Sequence, residues 1–432
     1  MPLTVLTDHD VKSLLHSLDR QDILDLQQSL GDALHYYSTA TETESGCCAT
    51  YQPQRTHLQR KDGSTTLFMP ASSNDGLGVK IVTLPDPSAS KPAEVAPAAS
   101  GKPVNLSQPR GSMTLLDTHG FPRGMINAEE LTAFRTALAS TMLFKKRNNV
   151  HDLTVFGAGK QAYWHIRLAL LLRPGEIHHL NIINRSYETA KNLMTQLFDP
   201  ANNKDHRVDR PDIKLITPGH TEYDRLLKST VRSSSAIFMT TPSLEPLFPA
   251  SYLTNPEGRR KGRYIAAIGS YKPNMVEIHP DIIRQAVAPQ HGRHFHKHAK
   301  QGGAIIVDSV ESCMREAGEI IQAGLESDQV VELGELVMLR RDAEARRRNR
   351  PASSSNNSLN DQSGIQIADD DKCPGKASSG GLDDDDLGLK DWLARGNVIY
   401  KGVGLGLMDV VIGSDLVALA DSRNVGVRIE DF

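Results

Sequence analysis

Several features that mark special classes of protein are scarce in this chain of 432 residues. It has only 4 cysteines, among them the adjacent pair Cys47 and Cys48, and their spacing matches no metal site. No run approaches the roughly 18 uninterrupted apolar residues of a membrane-spanning helix. Acidic residues interrupt the N-terminus, where a signal peptide needs an apolar core. These absences predict a cytoplasmic protein without a metal or a membrane span.

An excess of charge of one sign is also missing. The formal net charge is -3, from 49 basic and 52 acidic residues. Such a balance provides no electrostatic basis for binding nucleic acid or an anionic membrane. What is present is an ordinary apolar fraction of 39% in a chain longer than one typical domain. We therefore expect two domains of a globular protein.

The predicted secondary structure changes character along the chain. Helical periodicity over residues 8–36 is followed, between 64 and 127, by four strand-like stretches separated by turn residues. This second pattern predicts an antiparallel sheet. A helix is predicted over 127–147. From residue 152 short strands alternate with helices, which is typical of a doubly wound parallel sheet.

Three stretches lack the pattern of a packed core. The interval 85–109 is rich in Pro, Ala and Ser and predicts a long loop. The tract 342–390 runs from basic through Ser/Asn-rich to acidic, which predicts disorder. A loop over 291–298 carries four histidines, and we interpret it as a solvated insertion rather than a metal site. These histidines are His291, His294, His296 and His298.

The segment "LTVFGAGKQA" carries the first functional signal. Gly157 permits a tight turn after a strand, Gly159 lets the backbone approach a diphosphate, and the small Ala162 allows close packing of strand and helix. The diphosphate would lie at the helix N-terminus, where free amides and the dipole favour anions. A dinucleotide site is therefore predicted at Gly157, Ala158, Gly159, Lys160, Gln161 and Ala162.

The end of the next strand selects between the two nicotinamide dinucleotides. An NAD-dependent enzyme places an acidic residue there to bind the ribose hydroxyls. This chain has Asn184, Arg185 and Ser186 instead. Arginine pairs well with a 2′-phosphate, so we expect a preference for NADP(H) over NAD(H).

Five motifs in order resemble the ornithine cyclodeaminase/μ-crystallin family. They are "ELTAFRTALAS", "VFGAGKQAYWH", "TTPSLEPLF", "AAIGSYKPNMVEI" and "VIYKGVGLGLMD". The resemblance implies an α/β fold, with a Rossmann domain inserted in a discontinuous α+β substrate and dimerisation domain, and a homodimer. The expected substrate domain covers 1–130, 311–341 and 391–432, and the expected Rossmann domain covers 131–310, with 342–390 as a disordered insertion.

The resemblance also implies roles for particular residues. Arg55 and Arg135 match carboxylate-binding arginines, and Lys80 matches the active-site lysine of the family. Arginine binds a carboxylate in a bidentate manner, and a desolvated lysine can move a proton. Further residues are expected near the cofactor: Thr240, Thr241, Pro242, Gly269, Lys401 and Gly402. A structural pair between Lys401 and Asp409 is an alternative for that lysine.

The implied activity is NADPH-dependent reduction of a C=N bond beside a carboxylate, as in a cyclic imino acid. Two alternatives remain open, namely a lyase that converts ornithine to proline and a nucleotide-binding protein without turnover. Cyclodeaminases of the family carry an Asp where this chain has Tyr271. Because tyrosine, with a pKa near about 10, is neutral at neutral pH, this departure favours the reductase over the lyase.

Overall fold

The computed structural model describes residues 2–39, 52–84, 110–204, 208–288, 304–337 and 381–432. The predicted loops at 85–109 and 291–298 lie outside these ranges, as does the tract 342–390 up to residue 380. Within the described ranges the chain forms one sheet of seven strands and one of eight.

The seven-stranded sheet is built from both ends of the chain, in the order β15-β1-β6-β5-β4-β3-β2. Its strands are β1 (Leu3–Leu6), β2 (Thr56–Gln59), β3 (Thr65–Ser73), β4 (Gly76–Leu84), β5 (Arg110–Leu116), β6 (Pro122–Asn127) and β15 (Val427–Ile429). The antiparallel pairing predicted between residues 64 and 127 is confirmed for β3 to β6. Strand β1 pairs in parallel with β6, so the whole sheet is mixed.

The eight-stranded sheet has the order β13-β12-β14-β11-β10-β7-β8-β9. Its strands are β7 (Asp152–Phe156), β8 (His179–Ile183), β9 (Asp212–Ile216), β10 (Ala236–Met239), β11 (Tyr264–Ala267), β12 (Ile305–Val307), β13 (Val330–Glu332) and β14 (Val398–Lys401). All of its pairs are parallel. The predicted α/β class and doubly wound sheet are therefore confirmed.

Helices cover these sheets within the described ranges, and thirteen of them are numbered here. They are α1 (Asp8–His16), α2 (Arg20–Thr39), α3 (Ala128–Phe144), α4 (Lys160–Leu172), α5 (Tyr187–Leu197), α6 (Tyr223–Ser233), α7 (Ser251–Thr254), α8 (Pro256–Arg259), α9 (Pro280–Val287), α10 (Val310–Glu316), α11 (Gly318–Ala323), α12 (Gly381–Arg395) and α13 (Gly406–Arg423). Helix α3 contacts both β5 and α4 and therefore joins the two sheets. No helix in the described part of the chain is long and apolar enough to cross a membrane.

Two strands depart from the predicted domain boundaries. Strands β13 and β14 fall in segments assigned to the substrate domain, yet both pair within the parallel sheet. The four residues of β14 are all buried. An apolar strand of this kind fits the interior of a parallel sheet, where both faces are covered by helices. The expected boundary at residue 310 is therefore wrong for these strands.

The predicted disordered insertion also extends too far. Helix α12 begins at Gly381 and so occupies the end of the tract 342–390. Leu389 and Trp392 of this helix are buried in the core. The acidic composition before residue 388 concealed the short apolar pattern that follows it.

Candidate functional site

The glycine turn lies between β7 and α4. Gly157 has φ +103°, and a Cβ there would come within 2.6 Å of Thr240 Oγ1, so the backbone requires glycine. Gly159 caps α4 without a side-chain hydrogen bond, and a Cβ on it would enter open space. The first amides of α4 thus face an open, glycine-lined turn. This geometry fits the diphosphate of a dinucleotide.

Other side chains of the turn are directed elsewhere. Lys160 Nζ lies 3.0 Å from Glu129 and 3.0 Å from Glu130, both in α3. Ala162 is fully buried, as the predicted close contact of helix and strand requires. The turn therefore presents backbone rather than charged side chains to a ligand.

The end of β8 lies beside this turn, because the Gly157 amide donates to the Ile183 carbonyl at 2.9 Å. Asn184 Nδ2 donates to the Ser186 carbonyl at 2.8 Å. The Ser186 hydroxyl caps α5 by accepting from the Thr189 amide. Arg185 is exposed at the same edge. Asn184 and Ser186 thus bind nearby backbone groups, whereas the Arg185 side chain is exposed to solvent.

Several other predicted cofactor residues have partners inside the protein. The Thr240 hydroxyl donates to the Phe156 carbonyl at 2.7 Å, whereas Pro242 is exposed. The amides of Thr241 and Gly269 donate to the Glu277 carboxylate, at 2.8 and 2.7 Å. These turns line the crevice at the strand ends, but their amides are already engaged.

Lys401 lies inside the protein rather than at the crevice. Its ammonium donates to the Ser270 carbonyl at 2.7 Å and lies 3.3 Å from Glu319. The Gly402 amide donates to the Ala267 carbonyl and extends the strand pairing. Because Lys401 pairs with Glu319 and Asp409 with Lys80, the alternative pair of Lys401 with Asp409 is wrong, and the ligand contact of Lys401 stays a prediction. The reason for the different pairing is that β14 runs through the interior of the sheet.

Lys80 and Arg135 meet at one buried carboxylate. Lys80 Nζ lies 2.6 Å from Asp409 Oδ2, and Arg135 Nε lies 3.0 Å from Asp409 Oδ1. Strand β4 directs Lys80 inward, because its neighbours Val79 and Ile81 point to the outer face. Helices α3 and α13 supply Arg135 and Asp409. The structure thus brings together two of the three predicted catalytic residues.

Burial sets the electrostatics of this cluster. Desolvation lowers the pKa of Lys80 to about 8, although Asp409 acts in the opposite direction. Burial alone would raise the pKa of Asp409, but Arg135 and Lys80 outweigh it and keep that pKa below its usual value. The cluster therefore holds one carboxylate against two cations, and its lysine can release a proton near neutral pH.

Arg55 reaches the same region from the other side of a cleft. This cleft is lined by Arg55, Glu316 and Gly404, among other residues. In the structure Arg55 forms an ion pair with Glu316 at the end of α10. A Cβ on Gly404 would lie 3.1 Å from Arg135 Nη2, so Arg135 lies directly behind the cleft wall at Gly404. Burial lowers the pKa of Arg55.

Three carboxylates of this region were not predicted in their observed roles. Asp409 holds Lys80 and Arg135, Glu316 holds Arg55, and Glu277 binds the turns after β10 and β11. Asp409 and Glu277 lie within the motifs "VIYKGVGLGLMD" and "AAIGSYKPNMVEI", which is the signal that could have singled them out. Glu316 lies in a charged helix end with no such signal.

Two further observations limit the chemistry. Tyr271 is half-buried, and burial raises its pKa, so it is neutral at neutral pH. Among the residues that the structure describes, no three His, Cys, Asp or Glu side chains are grouped to hold a metal. The four histidines at 291–298 lie outside the described residues.

Comparison with known proteins agrees with the motifs. The family model described as "Ornithine cyclodeaminase/mu-crystallin family" matches residues 17–204. An uncharacterized protein of Saccharomyces cerevisiae is 27% identical over 356 residues, which cover 78% of this chain and 87% of the relative. A Delta(1)-pyrroline-2-carboxylate reductase of Bacillus cereus is 23% identical over 413 residues, which cover 93% of this chain and 96% of the relative.

The fold is also found among solved structures. A Delta(1)-pyrroline-2-carboxylate reductase of Thermococcus litoralis, solved in complex with NADH and L-proline, superposes with a TM-score of 0.62 at 18% identity. The alignment covers 98% of this chain and 99% of that one. At this identity the similarity establishes the shared fold, and the two sheets described above are its core.

Proposed function

We propose that this chain, whose residues 17–204 match the ornithine cyclodeaminase/mu-crystallin family model, is an NADPH-dependent reductase of a C=N bond adjacent to a carboxylate. The substrate class is a cyclic imino acid. The observation that carries this proposal is the buried cluster of Lys80, Asp409 and Arg135. Helix α3, which carries Arg135, packs on α4, the helix that follows the glycine turn.

Each residue of the cluster has a defined task in such a reaction. Arg135, together with Arg55 across the cleft, binds the substrate carboxylate, since a guanidinium pairs with a carboxylate through two hydrogen bonds. Lys80 donates a proton to the ring nitrogen as the C=N bond is reduced. Asp409 orients both cations. Holding the imine beside the turn supplies the proximity on which reduction depends.

The cofactor supplies the hydride when bound, and this chain supplies its binding surface. The open turn at Gly157 and Gly159, with the N-terminal amides of α4 behind it, holds the diphosphate. The exposed Arg185 at the end of β8 pairs with the 2′-phosphate of NADPH. This pairing supports the preference for NADPH over NADH.

The test follows cofactor absorbance with pyrroline- and piperideine-2-carboxylates and, separately, with ornithine. We expect one NADPH oxidised per imine reduced, slower use of NADH, and no reaction with ornithine. Ammonia released from ornithine without net change in the cofactor would establish the lyase instead. Cofactor binding without turnover of any imino acid would support a binding protein.

The neutral Tyr271 is the residue that favours the reductase over the lyase. A distal ammonium near it would lie in a half-buried site without an anionic partner at this position, which costs free energy. Replacing Tyr271 by Asp is expected to introduce measurable binding of ornithine while lowering reduction of the cyclic imine.

A homodimer is also proposed, formed through the outer face of the seven-stranded sheet. Leu77, Ile81 and Met125 on this face are exposed, and Val79, Thr114 and Met125 are neighbours across β4, β5 and β6. Exposed apolar patches of this kind mark interfaces. Met125→Glu should yield a monomer by light scattering, whereas Leu244→Glu, at an exposed site elsewhere, should not. A monomeric wild type would refute the dimer.

A further inference from the structure

Glu277 is a fully buried carboxylate that joins two turns. One of its oxygens accepts from the Thr241 amide at 2.8 Å, in the turn after β10. The other accepts from the amides of Gly269 and Ser270, at 2.7 and 3.2 Å, in the turn after β11. No part of the chemistry proposed above uses this residue. Its position nevertheless connects the turns at the edge where the cofactor is proposed to bind.

The turn after β10 also contacts the glycine turn, and the turn after β11 packs against the turn after β10. A Cβ on Gly157 would lie 2.6 Å from Thr240 Oγ1 and 3.0 Å from Thr241 Cγ2. A Cβ on Gly269 would lie 2.3 Å from the Thr241 backbone. Packing this close leaves little freedom for one turn to move without the others. Whatever holds Thr241 and Gly269 therefore also defines the wall beside Gly157.

The charges around Glu277 come from two other buried residues. Glu319 accepts from the Ser270 hydroxyl at 2.7 Å, and Lys401 lies 3.3 Å from Glu319. The direct partners of the Glu277 carboxylate are thus three backbone amides and, at 3.4 Å, the Thr241 hydroxyl, with Lys401 and Glu319 as the nearby charged groups. Burial raises the pKa of Glu277 to about 7, partly offset by Lys401 and reinforced by Glu319.

We propose that Glu277 is a positioning residue for the cofactor, which as a carboxylate holds the turns after β10 and β11 against the glycine turn and on protonation releases them. This inference rests on the proposed dinucleotide site. All three backbone contacts require an acceptor, and protonation converts part of that acceptor into a donor facing other donors. Cofactor affinity should therefore fall as the pH drops below about 7.

The sharpest variant is Glu277→Gln, which keeps the volume and turns one oxygen into an –NH2 group that faces backbone amides. We expect the Kd for NADPH, measured by fluorescence at pH 8, to rise about ten- to a hundredfold, as the loss of hydrogen bonds to a charged group predicts. The rate at saturating NADPH should change less than the KM. The matched control is Glu257→Gln, at an exposed glutamate, which should bind as the wild type does.

The pH profile separates positioning from a general loss of stability. Wild type and Glu257→Gln should lose affinity below pH 7 more steeply than Glu277→Gln, because the amide in Glu277→Gln does not titrate. The 2′-phosphate of NADPH titrates equally in all three proteins and so does not contribute to the difference. An unchanged Kd and an unchanged profile in a folded Glu277→Gln would overturn the proposal. So would a lowered melting temperature accompanied by unaltered binding.

Hydrogen exchange of the protein without cofactor provides an independent measurement. The amides of Thr241, Gly269 and Ser270 should exchange faster in Glu277→Gln, and in the wild type at pH 6 than at pH 8 after correction for intrinsic rates. The comparison of the wild type at pH 6 and pH 8 tests the proposal even if Glu277→Gln does not fold. Equal protection at both pH values would contradict the proposal. If the wild type binds neither NADPH nor NADH, the proposed function fails, whereas the exchange data still report on Glu277.

Discussion

The substrate and cofactor halves of the proposed site are built by different means. In the substrate half, charged side chains from β4, α3 and α13 converge on Asp409. In the cofactor half, the turn at Gly157 and Gly159 offers backbone amides, and the charged side chain is the exposed Arg185. Because the substrate half depends on side chains, single replacements there should abolish function. In the cofactor half, where backbone amides supply the contacts, single side-chain replacements should only weaken function.

The two buried carboxylates show the same contrast. Asp409 faces two cations, which keep its pKa low despite burial. Glu277 faces backbone amides, and burial raises its pKa to about 7. Direct charge pairing compensates for desolvation, whereas amide dipoles do so only in part. Hence the Asp409 carboxylate should stay ionised across neutral pH, whereas the Glu277 carboxylate should titrate near it.

The largest expected effect is that of Lys80→Ala. Removing the proposed proton donor should lower kcat by about a hundred- to ten-thousandfold, the range typical of general acid catalysis. Steady-state rates with a cyclic imino acid measure it. Lys191→Ala, at an exposed lysine of α5, is the control and should match the wild type. A folded Lys80→Ala with a normal rate would show that the charged cluster is structural only.

Asp409→Asn should affect both stability and the pH profile. It leaves Lys80 and Arg135 buried without their anion, which costs about 3–5 kcal/mol of unfolding free energy. Reduction by the wild type should decline as the pH rises through about 8, where Lys80 loses its proton. Because Asp409 raises the pKa of Lys80, the decline should begin at lower pH in the variant. If the decline in rate at high pH begins at the same pH in Asp409→Asn and in the wild type, that decline belongs to a group other than Lys80.

Arg185→Asp tests the cofactor half and should have an intermediate effect. Loss of the phosphate pairing, with added repulsion, should raise the KM for NADPH several-fold to a hundredfold while leaving the KM for NADH nearly unchanged. Lys191→Asp makes the same charge change nearby in α5 and serves as the control. Equal use of NADH and NADPH by the wild type would contradict the assigned preference.

Leu389→Ala lies outside both halves and should have the smallest effect on turnover. The side chain is buried in the core, so its truncation should cost about 2–5 kcal/mol of stability. Thermal unfolding measures this loss, and the rate below the melting temperature should remain near that of the wild type. Leu244→Ala, at an exposed leucine, should change neither. Unaltered stability of Leu389→Ala would show that α12 contributes little.

The parts that the sequence predicted well are those set by local pattern. Strand β4 and helix α4 begin and end where their apolar periodicity does. The glycine turn was predicted from Gly157, which adopts a positive φ, and Gly159, which leaves the space in front of the helix open. Lys80 and Arg135 were predicted through the family motifs, which carry neighbouring residues with them. The partners of Lys80, Arg135 and Arg55 were not predicted, and the alternative partner given for Lys401 is not the observed one.

The sequence by itself determined the alternation of strands and helices, the glycine turn and the absence of an acidic residue after β8. Those features depend on neighbours within a few residues. Only the tertiary structure decided that Asp409 holds Lys80 across 329 positions of chain, that Lys401 pairs with Glu319, and that β14 lies between β11 and β12. A buried charge takes the partner that the topology brings within a hydrogen-bond distance, and topology depends on the packing of the whole chain.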